Sequence, residues 1–156
     1  MEPRQKSSQL TVAPFALMWS NGYYYLVCRE VKTGGMRNLR VDRISDVKKL
    51  TASFTPDPNF DPVTYRNRSP VMYPGPLEEF RFRCKLELLN TLVDFFGRDA
   101  QFSAPANGET VVTMKASLSG MKLFALQYVN QVEVLTPQSL RDELYEILSA
   151  AAKKYK

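Results

Sequence analysis

The first third of the chain consists of runs rich in aromatic and β-branched residues that are separated by short turn signals. Asn21-Gly22 separates the first two runs, and this dipeptide favours a tight hairpin because a type I′ turn needs positive φ at both central positions. Thr33-Gly34-Gly35 is a second turn signal. The pattern predicts an antiparallel meander with strands at about 10–19, 23–32, 36–42 and 44–50. Because so small a meander buries only one face unless it closes, we expect a small SH3- or Sm-like β-barrel over residues 10–50.

Prolines are concentrated in residues 51–79, which hold six of the ten in the chain. This density removes backbone donors and fixes φ repeatedly, so it excludes long regular structure and leaves room for one or two helical turns around residues 62–68. We therefore predict that 51–79 is a linker between two domains. Its apolar side chains are expected to pack it onto a neighbouring domain: Phe54, Phe60, Tyr65, Met72 and Tyr73.

The pattern changes at Phe80. Residues 80–86 alternate strictly between apolar side chains, counting the Cys84 thiol among them, and basic side chains, which predicts a half-buried strand. A helix follows, because apolar residues recur at helical spacing from Leu89 to Phe96 and Gly97 stands at the expected C-cap. The rest of the pattern predicts strands at 101–104 and 110–117, a helix at 119–128 and a strand at 132–135.

A terminal helix has its own start signal. Thr136 is suited to the N-cap and Pro137 to the first helical position, and an apolar stripe follows from Leu140. The element order of residues 80–156 is therefore β-α-β-β-α-β-α, which predicts a ferredoxin-like α/β sandwich with one extra helix. The chain as a whole is predicted to be α+β.

The composition is that of an ordinary soluble globular protein, with 44% hydrophobic and 24% charged residues among 156. No apolar run is long enough to span a bilayer and the polar N-terminus does not resemble a signal peptide, so we expect a cytoplasmic protein with no membrane contact. Cys28 and Cys84 lie in different halves and form neither a metal spacing nor a disulfide framework, so we expect two buried free thiols.

The net charge of +5 is concentrated in residues 1–50, which carry nine Lys or Arg against four Asp or Glu. Such a local positive field attracts polyanions. A second group of basic residues, Arg81, Arg83 and Lys85, lies on one face of the strand at 80–86. These residues either keep an edge-like strand soluble or extend a nucleic-acid contact over both domains.

Catalysis is not expected, because the chain has no histidine and no motif that would replace it. The sequence has no paired carboxylates within a motif, no Cys-x-x-Cys, no P-loop and no Gly-x-Gly-x-x-Gly. Asp57 and Asp61 are interpreted as turn-initiating residues among prolines, the alternative being contact with a cation. We predict no metal site and no cofactor.

The tyrosines at 23–25 have two interpretations. Alternate strand residues face opposite ways, so at least one tyrosine points away from the core. Aromatic faces stack on bases and arginines contact phosphates, which is how small barrels bind single strands. In the other interpretation the tyrosines line the core, and Asp42 pairs with Arg40 or Arg43 in a solvated surface network.

The order and spacing of several motifs resemble the WYL domain of bacterial transcriptional regulators. The name-giving triad corresponds to Tyr24-Tyr25-Leu26, with Tyr at the position where Trp is usual. Residues 80–156 resemble the C-terminal extension called WCX, through 93–97, 134–137 and the closing helix that ends at Tyr155. The other matching residues are Pro14, Asn21-Gly22 and the pattern Arg37-x-x-Arg40-x-Asp42-Arg43-Ile44.

The resemblance implies a ligand-sensing regulatory module that binds single-stranded nucleic acid or nucleotides. Carried over residue by residue, it assigns binding to Tyr24, Tyr25, Arg37, Arg40 and Arg43, and Arg29 is added from its proximity on the hairpin. The alternative is an oligomerisation and protein-interaction module that senses a non-nucleotide small ligand.

The resemblance also implies partners. Related regulators carry a DNA-reading helical domain before the WYL domain, and the first nine residues are too few to form one. We interpret those nine as a frayed leader or the remnant of a longer connection, and expect the DNA-binding domain to be missing from this chain or supplied by a partner. By analogy with regulators that read paired half-sites, we expect a homodimer.

Overall fold

The computed structural model of the chain describes residues 8–55, 57–97 and 100–156. The chain divides into two units, Met1–Phe60 and Asp61–Lys156, and both contain antiparallel sheets. The fold is therefore α+β, as predicted. Pro56 and most of the expected leader, residues 1–7, lie outside the described residues. Among those that are described, no helix is both long and apolar enough to cross a membrane.

The first unit contains a three-stranded sheet of consecutive strands. The strands are β1 (Val12–Ser20), β2 (Tyr23–Glu30) and β3 (Met36–Arg40), in the order β1-β2-β3. Asn21 and Gly22 have φ values of 48° and 80°, so the predicted tight turn forms between β1 and β2. The register of β1 shifts between Pro14 and Ala16, which leaves Phe15 without a partner on β2.

The strand predicted at 44–50 is wrong. The chain leaves β3 through a 3-10 turn, Val41–Arg43, in which Ile44 donates its backbone N–H to Val41 at 3.1 Å. Apolar residues in 44–50 recur at every third position, so a strand would not place them on one face. Val47 is 80% exposed. Residues 44–50, all of them described, form no strand, and the three strands described in the first unit form an open sheet and no closed barrel.

The proline-rich segment belongs partly to each unit. Within the first unit, the Phe15 ring packs against Phe60 and Phe54, with centroids 4.9 and 6.0 Å apart. Within the second unit, helix α1 (Pro62–Asn67) is capped by Asp61, whose carboxylate accepts from the N–H of Thr64 at 2.8 Å. The predicted short helix is therefore present at this place.

Both aspartates of that segment accept local backbone hydrogen bonds. Asp61 caps α1, and Asp57 accepts from the N–H of Asn59 at 3.0 Å. These bonds agree with the interpretation as turn residues. In the part of the chain that the structure describes, no group of three or more acidic or cysteine side chains could hold a metal ion.

The second unit packs three helices on a four-stranded sheet. The element order β-α-β-β-α-β-α matches the prediction, and the strand order is β5-β6-β4-β7. Buried Phe82, Phe96 and Phe124 meet at the centre of its core. The elements are β4 (Leu77–Lys85), α2 (Leu89–Phe96), β5 (Gln101–Phe102), β6 (Glu109–Ser117), α3 (Leu118–Gln127), β7 (Val132–Thr136) and α4 (Gln138–Ala152).

Two predictions for the second unit need correction. Strand β4 is not at an edge, because it lies between β6 and β7. Helix α4 begins at Gln138, and Pro137 occupies the N-cap with extended backbone angles. Thr136 does not cap the helix, since it ends β7 and its hydroxyl accepts from the N–H of Arg81 at 3.2 Å.

Each unit contains one cysteine, and both thiols are free and buried as predicted. Cys28 lies on β2 and Cys84 on β4. Burial raises the pKa of Cys28, and it raises the pKa of Cys84 to about 11. Both side chains are therefore neutral at physiological pH.

Candidate ligand surface of the first unit

The first sheet presents two faces with different chemistry. Because side chains alternate along a strand, neighbouring tyrosines of β2 point to opposite faces. We name the faces after Tyr25 and Trp19. The Tyr25 face carries Tyr23, Tyr25, Arg29 and Arg40, and the Trp19 face carries Leu17, Trp19, Tyr24, Leu26, Arg37 and Leu39.

On the Tyr25 face, Arg40 is fixed by an aromatic ring and a carboxylate. It lies opposite Tyr25 in the register of β2 and β3. Its guanidinium carbon is 3.4 Å from the centroid of the Tyr23 ring. Its Nε and Nη2 donate to the two carboxylate oxygens of Asp42 at 3.0 and 2.6 Å. This arrangement holds the guanidinium plane against Tyr23 and fixes its orientation.

The ion pair shifts the titration of both partners. The hydrogen bonds from Arg40 lower the pKa of Asp42, and the Asp42 carboxylate raises the pKa of Arg40. Of the two pairings that the sequence allowed for Asp42, the structure shows the one with Arg40. Nη1 of Arg40 makes neither of these two hydrogen bonds, so its N–H groups point away from Asp42.

Arg29 lies farther along the same face. Its guanidinium carbon is 5.2 Å from the centroid of the Phe15 ring. Phe15 occupies the register shift of β1, and its ring is held by Phe54 and Phe60. A second cation therefore rests on an aromatic ring on the Tyr25 face.

The Trp19 face is more apolar. Trp19 and Tyr24 are cross-strand partners whose rings pack edge to face with centroids 4.8 Å apart. Leu17, Trp19 and Tyr24 are 63%, 60% and 53% exposed. Three large side chains of one sheet face are thus in contact with water.

Arg37 points to the Trp19 face and is held by Glu30. Its Nε and Nη2 donate to one carboxylate oxygen of Glu30 at 3.0 and 2.7 Å, and the Thr33 hydroxyl donates to the same oxygen at 3.0 Å. These hydrogen bonds lower the pKa of Glu30, with that from Arg37 as the largest cause. The cluster joins β2 to β3 across their turn, so Arg37 has a structural role at this place.

The predicted site residues do not form one surface. Tyr25, Arg29 and Arg40 share the Tyr25 face, whereas Tyr24 and Arg37 lie on the Trp19 face. Arg43 is exposed beyond the end of β3, and its charge contributes to the lowered pKa of Asp42. The family pattern is linear in sequence, but strand alternation divides it between two faces.

Two aromatic residues of these surfaces were missed. Tyr23 supplies the ring under Arg40, and Trp19 pairs with Tyr24. The pairing of Trp19 with Tyr24 follows from the Asn21-Gly22 turn, because a two-residue turn pairs Ser20 with Tyr23 and position 19 with position 24. The contact of Tyr23 with Arg40 depends instead on the register of β2 and β3, which the turn does not determine.

One of the basic residues of β4, Arg83, takes part in an ion-pair network of the second unit together with Arg141 of α4. Arg83 lies 3.0 Å from Glu133 and 3.7 Å from Glu109, and Arg141 lies 3.1 Å from Glu133. Arg141 also donates to the backbone oxygen of Val134. Solubilising an edge does not explain Arg81, Arg83 and Lys85, because β4 is a central strand.

Comparison with known proteins identifies the region that contains the first sheet. Residues 2–49 match the family model of the WYL domain. The WYL resemblance is confirmed over this range. The match includes β1, β2 and β3 and therefore both faces of the WYL sheet. None of the curated proteins matches the chain significantly.

One solved structure similar to the chain is the proteasome accessory factor B/C (PafBC) of Arthrobacter aurescens. The two are 21% identical in sequence and have a TM-score of 0.40. The alignment covers 91% of this chain and 22% of that chain. The chain thus spans about a fifth of the length of that protein.

Proposed function

We propose that the WYL region is the ligand-sensing part of a transcriptional regulator and binds single-stranded nucleic acid or a nucleotide on its Tyr25 face. The observation that carries this proposal is the fixed cluster of Tyr23, Arg40 and Asp42 beside Tyr25. The excess of cations in residues 1–50 supports it, since a positive field attracts phosphate groups.

The geometry supports a division of roles. The ring of Tyr23 or Tyr25 stacks on a base, and base stacking tolerates any sequence because every base has a π-face. Arg40 contacts a phosphate through Nη1 while Asp42 keeps holding the other edge of the guanidinium. The exposed Arg43 and the ring-mounted Arg29 contact neighbouring phosphates.

The experiment compares variants of the two faces. We expect Tyr25→Ala to weaken the binding of a labelled oligonucleotide by about 1–3 kcal/mol, or about tenfold to a hundredfold. Arg40→Ala should lower affinity for all sequences alike and flatten the salt dependence by about one unit, because one phosphate contact is lost. Tyr24→Ala and Arg37→Ala are the matched controls on the Trp19 face, and both should bind like the parent.

Folding must be measured beside binding, because Arg40→Ala also removes the partner of Asp42. Arg40→Lys keeps the positive charge but lacks the planar guanidinium group. It therefore tests whether binding depends on the charge alone or also on the fixed orientation of the N–H donors. No binding by the parent at low salt would contradict the proposal. Well-folded Tyr25→Ala and Arg40→Ala proteins that bind like the parent would also contradict it.

The wider proposal concerns the regulator as a whole. We infer that the module acts with a DNA-reading domain or partner and forms a homodimer, as the WYL resemblance implies, and that it has no catalytic activity. The strand order of the second unit supports a ferredoxin-like extension of the WCX kind.

A second candidate function is an oligomerisation and protein-interaction module that senses a non-nucleotide ligand. The exposed Leu17, Trp19 and Tyr24 of the Trp19 face favour it, because contiguous apolar side chains in water mark interaction surfaces. Binding of a protein partner that Trp19→Ala abolishes, with no oligonucleotide binding by the parent, would favour this candidate.

A further inference from the structure

We infer that the exposed side of helix α4 pairs with α4 of a second copy of this chain, the two helices running antiparallel. The inference rests on the proposed homodimer, for which it names the contact surface. It is independent of the proposed nucleic-acid site, because α4 belongs to the second unit.

The first observation is an apolar stripe on α4 that the core does not use. Leu140 and Leu144 are buried and attach the helix to the second unit. Tyr145, Leu148 and Ala152 follow one another at spacings of three and four residues, so they lie along one side of the helix, and Tyr155 follows three residues later in the 3-10 turn Lys153–Tyr155 that continues it. Tyr145 is 70% and Tyr155 is 92% exposed. We call these four residues the α4 stripe.

The second observation is the distribution of charge along the same helix. Of the exposed acidic residues, Asp142 lies in its first half and Glu146 lies just past its midpoint. Lys153, Lys154 and Lys156 follow the last residue of α4, and residues 153–156 include no acidic residue. The other acidic residue of the first half, Glu143, is engaged by Lys122 at 2.8 Å.

The α4 stripe and the charges beside it are complementary to the same surface of a second copy only when the two helices run antiparallel. A twofold axis near Ser149 places Asp142 and Glu146 of one copy beside Lys153 and Lys156 of the other, and the same contacts recur on the other side of the axis. A parallel pair would place like charges together. Ser149 to Ala152 are small, so the two helices can approach closely at the centre of the contact.

The helix dipole accounts for part of this pattern. Acidic residues near an N-terminus and basic residues near a C-terminus stabilise any helix. The dipole does not explain why Tyr145, Leu148 and Tyr155 are kept in water beside those charges. The helix is about 22 Å long, so its contact area falls short of the roughly 800 Å² per partner of a standard interface, and we expect a weak dimer.

The experiment uses two charge-reversed proteins of the full chain. One carries Asp142→Lys with Glu146→Lys, and the other carries Lys153→Glu with Lys156→Glu. Each should dissociate about tenfold or more readily than the parent in sedimentation equilibrium, because every contact across the axis becomes repulsive. An equimolar mixture should form a heterodimer, since each repulsive end then meets an end of opposite charge.

The controls separate this surface from net charge and from loss of folding. Glu87→Lys with Asp94→Lys changes two exposed acidic residues elsewhere in the second unit and should leave the dimer intact. Tyr145→Ser should weaken the dimer without affecting folding, because the side chain is outside the core. Recovery in the mixture shows that both charge-reversed proteins are folded.

Two results would overturn the inference, and the second would also overturn the proposed homodimer. If the parent is dimeric and neither charge-reversed protein dissociates, the α4 surface is wrong and the homodimer stands. If the parent stays monomeric at the highest concentration studied, the homodimer is wrong as well. Oligonucleotide binding is measured separately and is unaffected by either result.

Discussion

Asp42 and Arg40 form an ion pair that should make part of the stability of the first unit depend on pH. Arg40 holds the folded-state pKa of Asp42 below its ordinary value of 3.8. The pair therefore stabilises the fold above that pH, and this contribution is lost as the pH falls through the lower folded-state pKa. We expect the melting temperature of the parent to fall more steeply in this acidic range than that of Asp42→Asn.

The difference should be small, because Asp42 is exposed and solvent screens the pair. Asp46→Asn removes an exposed carboxylate outside the pair and should follow the parent. If Asp42→Asn and the parent lose stability in parallel on acidification, the pair does not contribute to the fold.

At the residue scale, the sequence supplied candidate residues for a ligand surface but not their division between the two faces of the sheet. Tyr25 and Arg40 lie on the same face because they are directly opposite each other in the register of β2 and β3. Tyr24 and Arg37 lie on the Trp19 face because side chains alternate along a strand. The ring under Arg40 belongs to Tyr23, which the family pattern omits. Side-chain partners depend on register, and a linear motif does not encode it.

At the scale of elements, helix α3 packs closely on the turn at Pro70. A Cβ atom at Gly120 would lie 2.6 Å from the backbone oxygen of Pro70 and 2.7 Å from the hydroxyl of Ser117. Helix propensity alone predicts that Gly120→Ala stabilises α3 by about 1 kcal/mol. We expect the opposite sign, because overpacking a buried site costs about 1–3 kcal/mol.

Urea unfolding of Gly120→Ala measures this balance, with Ser119→Ala as the exposed control on the same helix. The control should change stability by less than about 0.5 kcal/mol. A Gly120→Ala protein as stable as the parent, or more stable, would mean that the Pro70 turn moves aside without cost.

Elements with strong local signals were predicted well. The Asn21-Gly22 hairpin, the helix from Leu89 and the terminal helix all have turn or periodicity signals within a few residues. The prediction of a strand at 44–50 was wrong, because β-propensity favours a strand there but the apolar residues do not alternate. The prediction that β4 is an edge strand was wrong, because strand order depends on pairings between residues distant in sequence, such as Arg83 with Val111.

At the scale of the whole molecule, we expect limited proteolysis to separate the two units in residues 48–61. Trypsin should cut first after Lys48 or Lys49, which are exposed and outside regular structure. Arg66 and Arg68 should be protected from cleavage. Arg66 lies within α1, and the backbone oxygen of Arg68 accepts from the N–H of Ser117 at 2.9 Å. Mass spectrometry of the first fragments identifies the sites.

Early cleavage after Arg66 or Arg68 would contradict the assignment of residues 61–79 to the second unit. Early cleavage within 23–41 would contradict the first sheet. The sequence predicted the proline-rich boundary as one linker at 51–79. It did not predict the division of that segment at Phe60, because the packing of Phe60 on Phe15 joins residues far apart in the chain.

The placement of the two cysteines has a practical consequence. Cys28 and Cys84 are buried in different units, so neither can react with a thiol reagent until its own unit opens. In native buffer, the labelling rate at each position therefore measures the opening equilibrium of one unit. Peptide mass spectrometry measures both labelling rates in one sample. The opening of each unit can therefore be followed independently in the unmutated chain.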